Sequence, residues 1–415
     1  MGGAKNWEIE QQGRGWYSVG EKFVCPECFN DDAIKLFVAL NATAVECDYC
    51  GTVSDHPVAT PADSVIQLIY ESIKSEWGDV LDEGVPWDTS EGGWQLGPIY
   101  DTFELLDHLD LPVLNGDFLR AVLQSLTAHE WCQKDFYELR RADALGYGWR
   151  DLVERVKHHT RYVFMALPPP DDGFLSFEQI PIANTLQEIG SVVDEAVLVS
   201  VLPVGTRFFR ARVHDMNESP TTASELGAPP TDKATVSNRM SPAGIPMFYG
   251  ANSELVAVAE TYDSERDIGA AVTTGLFSTC RDLIVVDLAS LPRVQSLFDS
   301  ERRHLRSALI FLHGFASDIS QKVTRDGMEH IDYVPPQVVT EYFRRIHKTE
   351  EGVPIDGMVY PSSRHADEAC CVLFVENSEC VDRTATTSPD STLILEDVHP
   401  FADSELAAVF TTASI

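Results

Sequence analysis

Residues Asn238–Thr261, NRMSPAGIPMFYGANSELVAVAET, form the stretch that decides the fold of the C-terminal part of this chain. The Pro- and Gly-containing segment 241–246 predicts a turn, and the apolar run Met247–Tyr249 after it predicts a short buried strand. Asn252 or Ser253 then suits the N-cap of a helix with an apolar face. The stretch therefore predicts a turn, a strand and a helix that fold together closely.

Three polar side chains stand on these consecutive elements. Arg239 precedes the turn, Tyr249 ends the strand, and Glu260 lies in the helix among apolar neighbours. Because the connections are short, we expect the three side chains to converge on one place. An arginine, a tyrosine and a carboxylate in one place indicate a site for an anionic ligand with a cationic reacting centre.

This stretch and its flanks resemble the RES family, which is named for its Arg, Glu and Ser residues. The further matching blocks are Arg207–Arg212 (RFFRAR), Asp332–Gln337 (DYVPPQ) with Glu341–Arg344 (EYFR), and Gly357–Ser363 (GMVYPSS). Ordered blocks are more specific than any one motif, and they cover roughly residues 195–380. Pro336 and Cys370 depart from the family pattern, in which a small hydroxyl residue and an asparagine are common at those places.

The resemblance implies a domain similar to the ADP-ribosyltransferase fold, acting as an NAD⁺ glycohydrolase or NAD⁺ phosphorylase. Such an enzyme attacks NAD⁺ at the nicotinamide–ribose bond, with water or phosphate as the acceptor. The resemblance also implies an antitoxin or regulatory protein as a partner, since RES proteins commonly belong to toxin–antitoxin pairs. Two alternatives are transfer of ADP-ribose to a protein or nucleotide, and a non-catalytic adaptor that binds ADP-ribose-like ligands.

Two arginines are candidates for holding the diphosphate of NAD⁺. Arg210 and Arg239 would clamp it with charge-assisted, often bidentate hydrogen bonds. Arg212 competes with Arg210 for this role, because residues two apart on a strand share one face. Arg239 also has a plain structural interpretation, as an ion-pair partner of Glu260.

The remaining candidates would act on the ribose and nicotinamide. Glu260 would stabilise the oxocarbenium-like ribose that forms as the glycosidic bond breaks. Tyr249 would offer an aromatic face to nicotinamide and a hydroxyl to a ribose or phosphate oxygen, although a core role is common for such a residue. Ser362 would give a hydroxyl to a phosphate; Ser362 or Ser363 would otherwise be a turn residue.

Two CxxC pairs near the N-terminus indicate a metal site. Cys25 and Cys28 precede Cys47 and Cys50, with residues 29–46 between the pairs. This spacing predicts a zinc ribbon over residues 1–58, with 33–39 and 43–46 as its strands. Four cysteine ligands leave no open coordination position, so the Zn²⁺ would be structural. A redox pair or free thiols are the alternative.

Helical patterns follow over residues 59–165. The predicted helices begin at Pro61 and continue with Asp101–His108, Asp117–Leu126, Trp131–Arg141 and Trp149–Tyr162. This segment follows the two CxxC pairs in the chain. Together with them it resembles the N-terminal extension of some RES proteins, which is named for HEPN. The spacing of Arg150 and Arg155 from His158 and His159 does not fit a HEPN ribonuclease, so we expect no such activity.

Composition and pattern also predict the remaining domains and their boundaries. Residues 166–190 contain a proline run and predict a linker. Short strands alternating with helices over 191–380 predict an α+β catalytic domain, not a doubly wound sheet. The polar loop Glu218–Lys233 is long enough to border its pocket. Residues 381–415 predict a C-terminal tail that lies partly on the surface.

The overall charge excludes some partners. The formal net charge is −34, from 65 acidic against 31 basic residues, which opposes binding to nucleic acid. Apolar runs of about 18 residues, as a membrane span needs, do not occur. The first 16 residues lack the apolar core of a secretion signal. Paired CxxC motifs suit a reducing compartment, so we expect a cytoplasmic protein.

Overall fold

The computed structural model describes residues 13–95, 97–166, 180–263, 266–321, 327–365, 368–384, 388–402 and 405–406. The chain divides into two compact units, Met1–Leu139 with Val294–Arg306, and Arg140–Arg293 with Ser307–Ile415. Residues 167–179 of the predicted linker lie outside the described residues. The domain limits given by the sequence stay predictions.

The first unit combines helices with short strands. Its helices are α1 Asp32–Leu40, α2 Ala62–Glu76, α3 Thr102–His108 and α4 Gly116–Ser125. Its strands are β1 Phe23–Val24, β2 Thr60–Pro61, β3 Trp77–Asp79, β4 Trp87–Asp88, β5 Gly93–Trp94, β6 Tyr100–Asp101 and β7 Glu130–Gln133. Apolar residues of α2 and α4, including Ile66, Ile69, Phe118 and Val122, meet in one core with the cysteines Cys25, Cys28 and Cys47.

Helix α1 corrects the prediction of a strand at residues 33–39. The carboxylate of Asp31 accepts hydrogen bonds from the backbone N–H groups of Ala33 and Ile34, at 2.9 and 3.0 Å. This N-cap starts the helix. Ile34 and Val38 are fully buried one turn apart, which is helical periodicity.

The second ribbon strand, predicted at residues 43–46, is reduced to isolated bridges. Ala44 bridges Ala59, and Glu46 bridges Val53. The two CxxC pairs are therefore joined through a helix and a short extended segment, not through a regular hairpin.

Three of the helices predicted between residues 59 and 165 are confirmed as α2, α3 and α4. The prediction of a helix over Trp131–Arg141 is wrong, because its first part is strand β7, which pairs with both β3 and β6. Cross-strand pairing buries Trp131 and Cys132 there. The next helix begins only at Arg141.

The second unit contains a mixed nine-stranded sheet in the order β15-β16-β11-β9-β10-β14-β13-β12-β8. Its strands are β8 Val199–Leu202, β9 Arg207–Asp215, β10 Phe248–Ala251, β11 Ala270–Thr279, β12 Leu283–Asp287, β13 Gly357–Pro361, β14 Ala369–Leu373, β15 Cys380–Asp382 and β16 Leu393–Pro400. Strands β12 and β13 run parallel, as do β15 and β16, and the other pairs are antiparallel. The predicted α+β class is confirmed.

Helices cover this sheet. They are α5 Arg141–His158, α6 Ile182–Glu195, α7 Ala223–Leu226, α8 Glu254–Thr261, α9 Arg306–Ser320, α10 Glu329–Asp332 and α11 Val334–Arg345. Helix α8 packs against β9, β10 and β11, and α5 packs against α6 and α11. Ser253 caps α8, since its hydroxyl accepts the N–H of Val256 at 3.3 Å.

The segment predicted as a tail adds strands to the sheet. Strand β16 pairs antiparallel along β11, from Leu393 opposite Thr279 to Pro400 opposite Thr273. Residues 385–387, 403–404 and 407–415 of this segment lie outside the described part. Among the described helices, none has the length and apolar character needed to cross a membrane.

Candidate active site

Strands β9, β10, β14 and β13, which are neighbours in the sheet, line one side of a cavity of about 1100 Å³. Each contributes a side chain to the lining: Arg210, Tyr249, Cys370 and Tyr360. The turn before β10 and helix α8 supply the facing residues Arg239 and Glu260. The structure thus brings together four of the five candidate residues on one cavity.

Glu260 is held by the segment that follows β13. Its Oε1 accepts a hydrogen bond from the Ser362 hydroxyl at 2.6 Å and from the Ser363 backbone N–H at 2.9 Å. The Ser363 hydroxyl lies 3.3 Å from Oε1 and 3.1 Å from Oε2. Three donors therefore fix the orientation of one carboxylate at the cavity wall.

Ser362 itself is not among the residues that line this cavity, although it is within reach of Glu260. Its buried hydroxyl also accepts the backbone N–H groups of Arg364 and His365, at 3.1 and 3.2 Å. Ser363 lies on the cavity wall instead. The sequence named only the first serine as a site residue, whereas the structure connects both to the carboxylate.

Arg239 projects from a loop that other elements hold in place. Its guanidinium donates to the carbonyl of Ser320 at 2.8 Å. The amide of Gln337 donates to the carbonyl of Asn238 at 2.7 Å and to the hydroxyl of Ser237 at 2.8 Å. Within the described residues, no ion pair joins Arg239 to Glu260, so the guanidinium keeps donors for a ligand.

Gly244 lets the loop turn after Arg239. Its φ of +89° lies in the left-handed region that favours glycine. The backbone N–H of Gly244 donates to the carbonyl of Ala234 at 2.7 Å. This closes the turn predicted from the Pro and Gly residues.

The Tyr249 hydroxyl connects β10 to the same loop. It lies 2.9 Å from the Ser241 hydroxyl and accepts the backbone N–H of Met240 at 3.2 Å. Burial raises the pKa of Tyr249 to about 12, so the phenol keeps its proton even in mildly alkaline solution. The tyrosine therefore holds the arginine loop while it lines the cavity.

Arg210, not Arg212, lies in the cavity lining. The Arg210 guanidinium donates to the carbonyl of Tyr249 at 3.0 Å and lies 5.3 Å from the ring centroid of Phe248. Burial lowers its pKa, because desolvation disfavours the charged form. Arg212 instead donates to the carbonyl of Glu225.

Cys370 occupies a buried position in the lining, opposite Tyr360 and Ala251 in the sheet register. Burial, together with the nearby Glu260 carboxylate, raises its pKa to about 12. Burial likewise raises the pKa of Tyr360 well above its ordinary value. Cys370 and Tyr360 therefore stand as neutral groups beside the Glu260 carboxylate at this end of the cavity.

The cavity has an excess of basic residues in an acidic protein. The described lining includes five basic side chains against three acidic ones: Arg210, Lys233, Arg239, Arg266 and Arg364 against Glu260, Asp263 and Glu329. Lys233 and Pro229 belong to the polar loop that was expected to border the pocket. This local excess suits an anionic ligand.

The four cysteines of the CxxC pairs form a separate cluster in the first unit. Their sulfur atoms all lie within 4.8 Å of one another. Cys25 Sγ is 3.3 Å from Cys50 Sγ, and Cys28 Sγ is 3.8 Å from Cys47 Sγ, which is too far for disulfides. Four converging thiols match the donor set of a tetrahedral metal site.

Sequence reasoning missed Gln337, Ser320 and Ser363 as parts of the site. Gln337 lies in the block Asp332–Gln337, so the motif marked this residue as part of the family pattern but did not indicate what it does. Ser320 contributes a backbone carbonyl, which a sequence does not reveal. The sequence suggested only a turn role for Ser363, whereas Ser362 and Ser363 both donate to the Glu260 carboxylate.

Two family models match the chain. One is described as HEPN/RES N-terminal domain 1 and covers residues 40–169, and the other is described as the RES domain and covers residues 207–396. No curated protein and no solved structure gives a match. The two matches confirm the resemblance that the ordered sequence blocks indicated.

Proposed function

The chain carries a RES domain behind a HEPN/RES N-terminal domain, and from this premise we propose that it degrades NAD⁺ by cleaving the nicotinamide–ribose bond. The observation that supports this most directly is the carboxylate of Glu260, held by Ser362 and Ser363 at the wall of a cavity rich in basic residues. A fixed anion beside a cation-lined cavity suits a substrate with a diphosphate and a cationic glycosidic centre.

In the proposed reaction the bond between ribose C1′ and the nicotinamide nitrogen breaks. Its electron pair passes to the nicotinamide ring, which leaves as a neutral molecule. The ribose becomes oxocarbenium-like, and the ionised Glu260 stabilises the positive charge that develops there. An oxygen of water or phosphate then bonds to C1′, and an attacking water releases its proton to solvent.

The two arginines would bind the part of NAD⁺ that does not react. Arg239 and Arg210 reach the cavity from the loop before β10 and from β9. Each guanidinium donates one hydrogen bond to a backbone carbonyl, Arg239 to that of Ser320 and Arg210 to that of Tyr249. The planar guanidinium carries five N–H donors, so both retain donors for phosphate oxygens.

We assign Ser362 a positioning role within this proposal. Its hydroxyl donates to Glu260 at 2.6 Å, so it would orient the carboxylate and would not contact a phosphate directly. Tyr249 would present its ring face to the nicotinamide end of the substrate, while its hydroxyl holds Met240 and Ser241.

The first unit would hold one structural Zn²⁺ on Cys25, Cys28, Cys47 and Cys50. The donor set fits, because four sulfur atoms within 4.8 Å match tetrahedral Cys₄ coordination. Such an ion stabilises a small module and performs no step of the reaction. A cytoplasmic location and an antitoxin or regulatory partner belong to the same proposal.

Product analysis tests the proposal. The full chain is incubated with NAD⁺, with and without inorganic phosphate, and the products are identified by mass spectrometry. Nicotinamide with ADP-ribose indicates hydrolysis, and nicotinamide with a phosphorylated ADP-ribose indicates phosphorolysis. ADP-ribose attached to an added protein or nucleotide would favour the transferase alternative. Tight ADP-ribose binding without nicotinamide release would favour an adaptor.

A further inference from the structure

Helix α5 makes two polar contacts with helices that carry site residues. The indole N–H of Trp149 donates to Oδ2 of Asp318 at 3.1 Å, near the end of α9. Eight residues later, Lys157 Nζ donates to Oδ1 of Asp332 at 2.7 Å, at the end of α10. The two contact points are about 12 Å apart along the helix axis.

Each contact lies beside a residue of the cavity. Ser320, two positions after Asp318, gives its carbonyl to the guanidinium of Arg239 at 2.8 Å. Tyr333, next to Asp332, lines the cavity. Helix α11 follows directly, and its Gln337 donates to the carbonyl of Asn238 at 2.7 Å. The first contact of α5 therefore connects to the loop of Arg239 through α9, and the second connects to it through α10 and α11.

The two contacts of α5 are shielded from solvent well enough to hold Asp318 and Asp332 in place. Trp149 is buried and packs its ring edge-on against Phe315 of α9, with centroids 5.0 Å apart. The side chains of Lys157 and Asp332 are 23% and 37% exposed. A partly buried ion pair holds its geometry better than a fully exposed pair.

We propose that Trp149 and Lys157 are positioning residues for the diphosphate clamp. Helix α5 would hold the end of α9 and the start of α11 so that Ser320 and Gln337 keep Arg239 directed into the cavity. This inference rests on the proposed function. It gives the N-terminal family region a role in substrate binding, because α5 lies inside the match at residues 40–169 yet belongs to the compact unit of the RES domain.

Two variants remove the contacts with little loss of packing. Lys157→Met deletes the ion pair, and Asp318→Ala deletes the acceptor of Trp149 from an exposed position. Two controls change the same charges on the exposed face of α5: Arg150→Met and Asp151→Ala. All variants are made in the full chain, and their melting temperatures are recorded.

The kinetic readout separates positioning from general destabilisation. We expect Lys157→Met and Asp318→Ala to raise the KM for NAD⁺ by about 3- to 10-fold, with kcat within about twofold of the parent, because a displaced Arg239 weakens substrate binding. The controls should leave both constants unchanged. Test variants with the KM of the controls would overturn the proposal.

A second readout does not depend on NAD⁺. Hydrogen–deuterium exchange of residues 237–241 should be faster in both test variants than in both controls, since the loop loses its support. If the parent consumes no NAD⁺, the proposed function fails, and this exchange result alone decides the positioning role. Exchange equal to that of the controls would contradict it.

Discussion

Ser363 binds the carboxylate of Glu260 with both its backbone and its side chain. The backbone N–H lies 2.9 Å from Oε1, and the hydroxyl lies 3.1 Å from Oε2. Ser362 adds a third donor at 2.6 Å. Because both oxygens are engaged, the carboxylate is preorganised, and in the proposed reaction it would need no rearrangement as positive charge develops on the ribose.

Replacing Glu260 tests its electrostatic role. Glu260→Gln keeps the shape of the side chain but removes the negative charge. We expect the fold and NAD⁺ binding to persist and kcat to fall by roughly 10²-fold or more, the scale of a lost transition-state partner. Steady-state kinetics with a melting curve check this. A folded Gln variant with near-parental kcat would remove Glu260 from the mechanism.

Ser362 and Ser363 should affect the reaction rate by orienting the carboxylate of Glu260. Ser362→Ala and Ser363→Ala each remove one hydroxyl donor to the carboxylate, and a hydrogen bond to a charged group contributes about 1.5–3 kcal/mol. We expect kcat/KM to fall by about 10-fold in each. In the Glu260→Gln background, the same serine changes should have a much smaller effect, since the charge they orient is gone. Equal losses in both backgrounds would show that the serines act independently of Glu260.

NAD⁺ binding should depend on the planar shape of the Arg239 side chain as well as on its charge. Arg239→Lys loses the planar fork, and we expect NAD⁺ binding to weaken by about 1–3 kcal/mol. Arg239→Ala should cost more. Apparent KM values at low and high salt measure this, because the remaining charge effect is screened by salt.

Arg212→Lys is the matched control for that comparison, since Arg212 contacts the Glu225 carbonyl and is not part of the described cavity lining. Parental KM values for both Arg239 variants at both salt levels would place the clamp elsewhere, for example at Arg364, which also lines the cavity.

The cysteine cluster should bind one metal ion. We expect metal analysis of a reduced preparation to find about one zinc per chain, as for other Cys₄ sites. A strong chelator should unfold the module around residues 25–50, because metal binding and folding are coupled in such modules. The RES domain should keep its melting transition. A metal-free preparation with an unchanged spectrum after chelation would contradict the assignment.

Buried thiols should make the RES domain sensitive to alkali. Burial raises the pKa of Cys370 from 9.0 to about 12, so the folded chain keeps a proton that the unfolded chain releases. Stability from this group is complete below pH 9 and falls as pH rises toward 12, by up to about 1.4 kcal/mol per pH unit. Urea unfolding between pH 8 and pH 11 measures the slope.

The matched variant is Cys370→Ala, which should have a shallower slope than the parent over the same pH range. Because Cys371 and Tyr249 are also buried with raised pKa values, part of the slope should remain. An identical slope in the parent and in Cys370→Ala would show that this thiol does not contribute.

The convergence of the candidate site residues was easier to predict from the sequence than the fold of the first unit. Arg239, Tyr249 and Glu260 stand on adjacent short elements, so their convergence followed from local connections. The prediction of a strand at residues 33–39 failed because the spacing of their apolar residues also suits a helix. The N-cap at Asp31 favours the helix over the strand.

Strand pairings and hydrogen bonds between distant parts of the chain could not be predicted from the sequence. Strand β16 joins the sheet beside β11, a partner more than a hundred residues away. The bond from Arg239 to the Ser320 carbonyl is likewise invisible, because every residue has a carbonyl and only the fold brings this one near.

The most direct test of the account compares nicotinamide release from NAD⁺ by the parent chain and by Glu260→Gln, under saturating NAD⁺ and with matched folding. We expect the parent to release nicotinamide by cleavage between nicotinamide and ribose, and the variant to lose roughly 10²-fold of this activity. A folded parent that binds NAD⁺ and releases no nicotinamide, with or without phosphate, would contradict it.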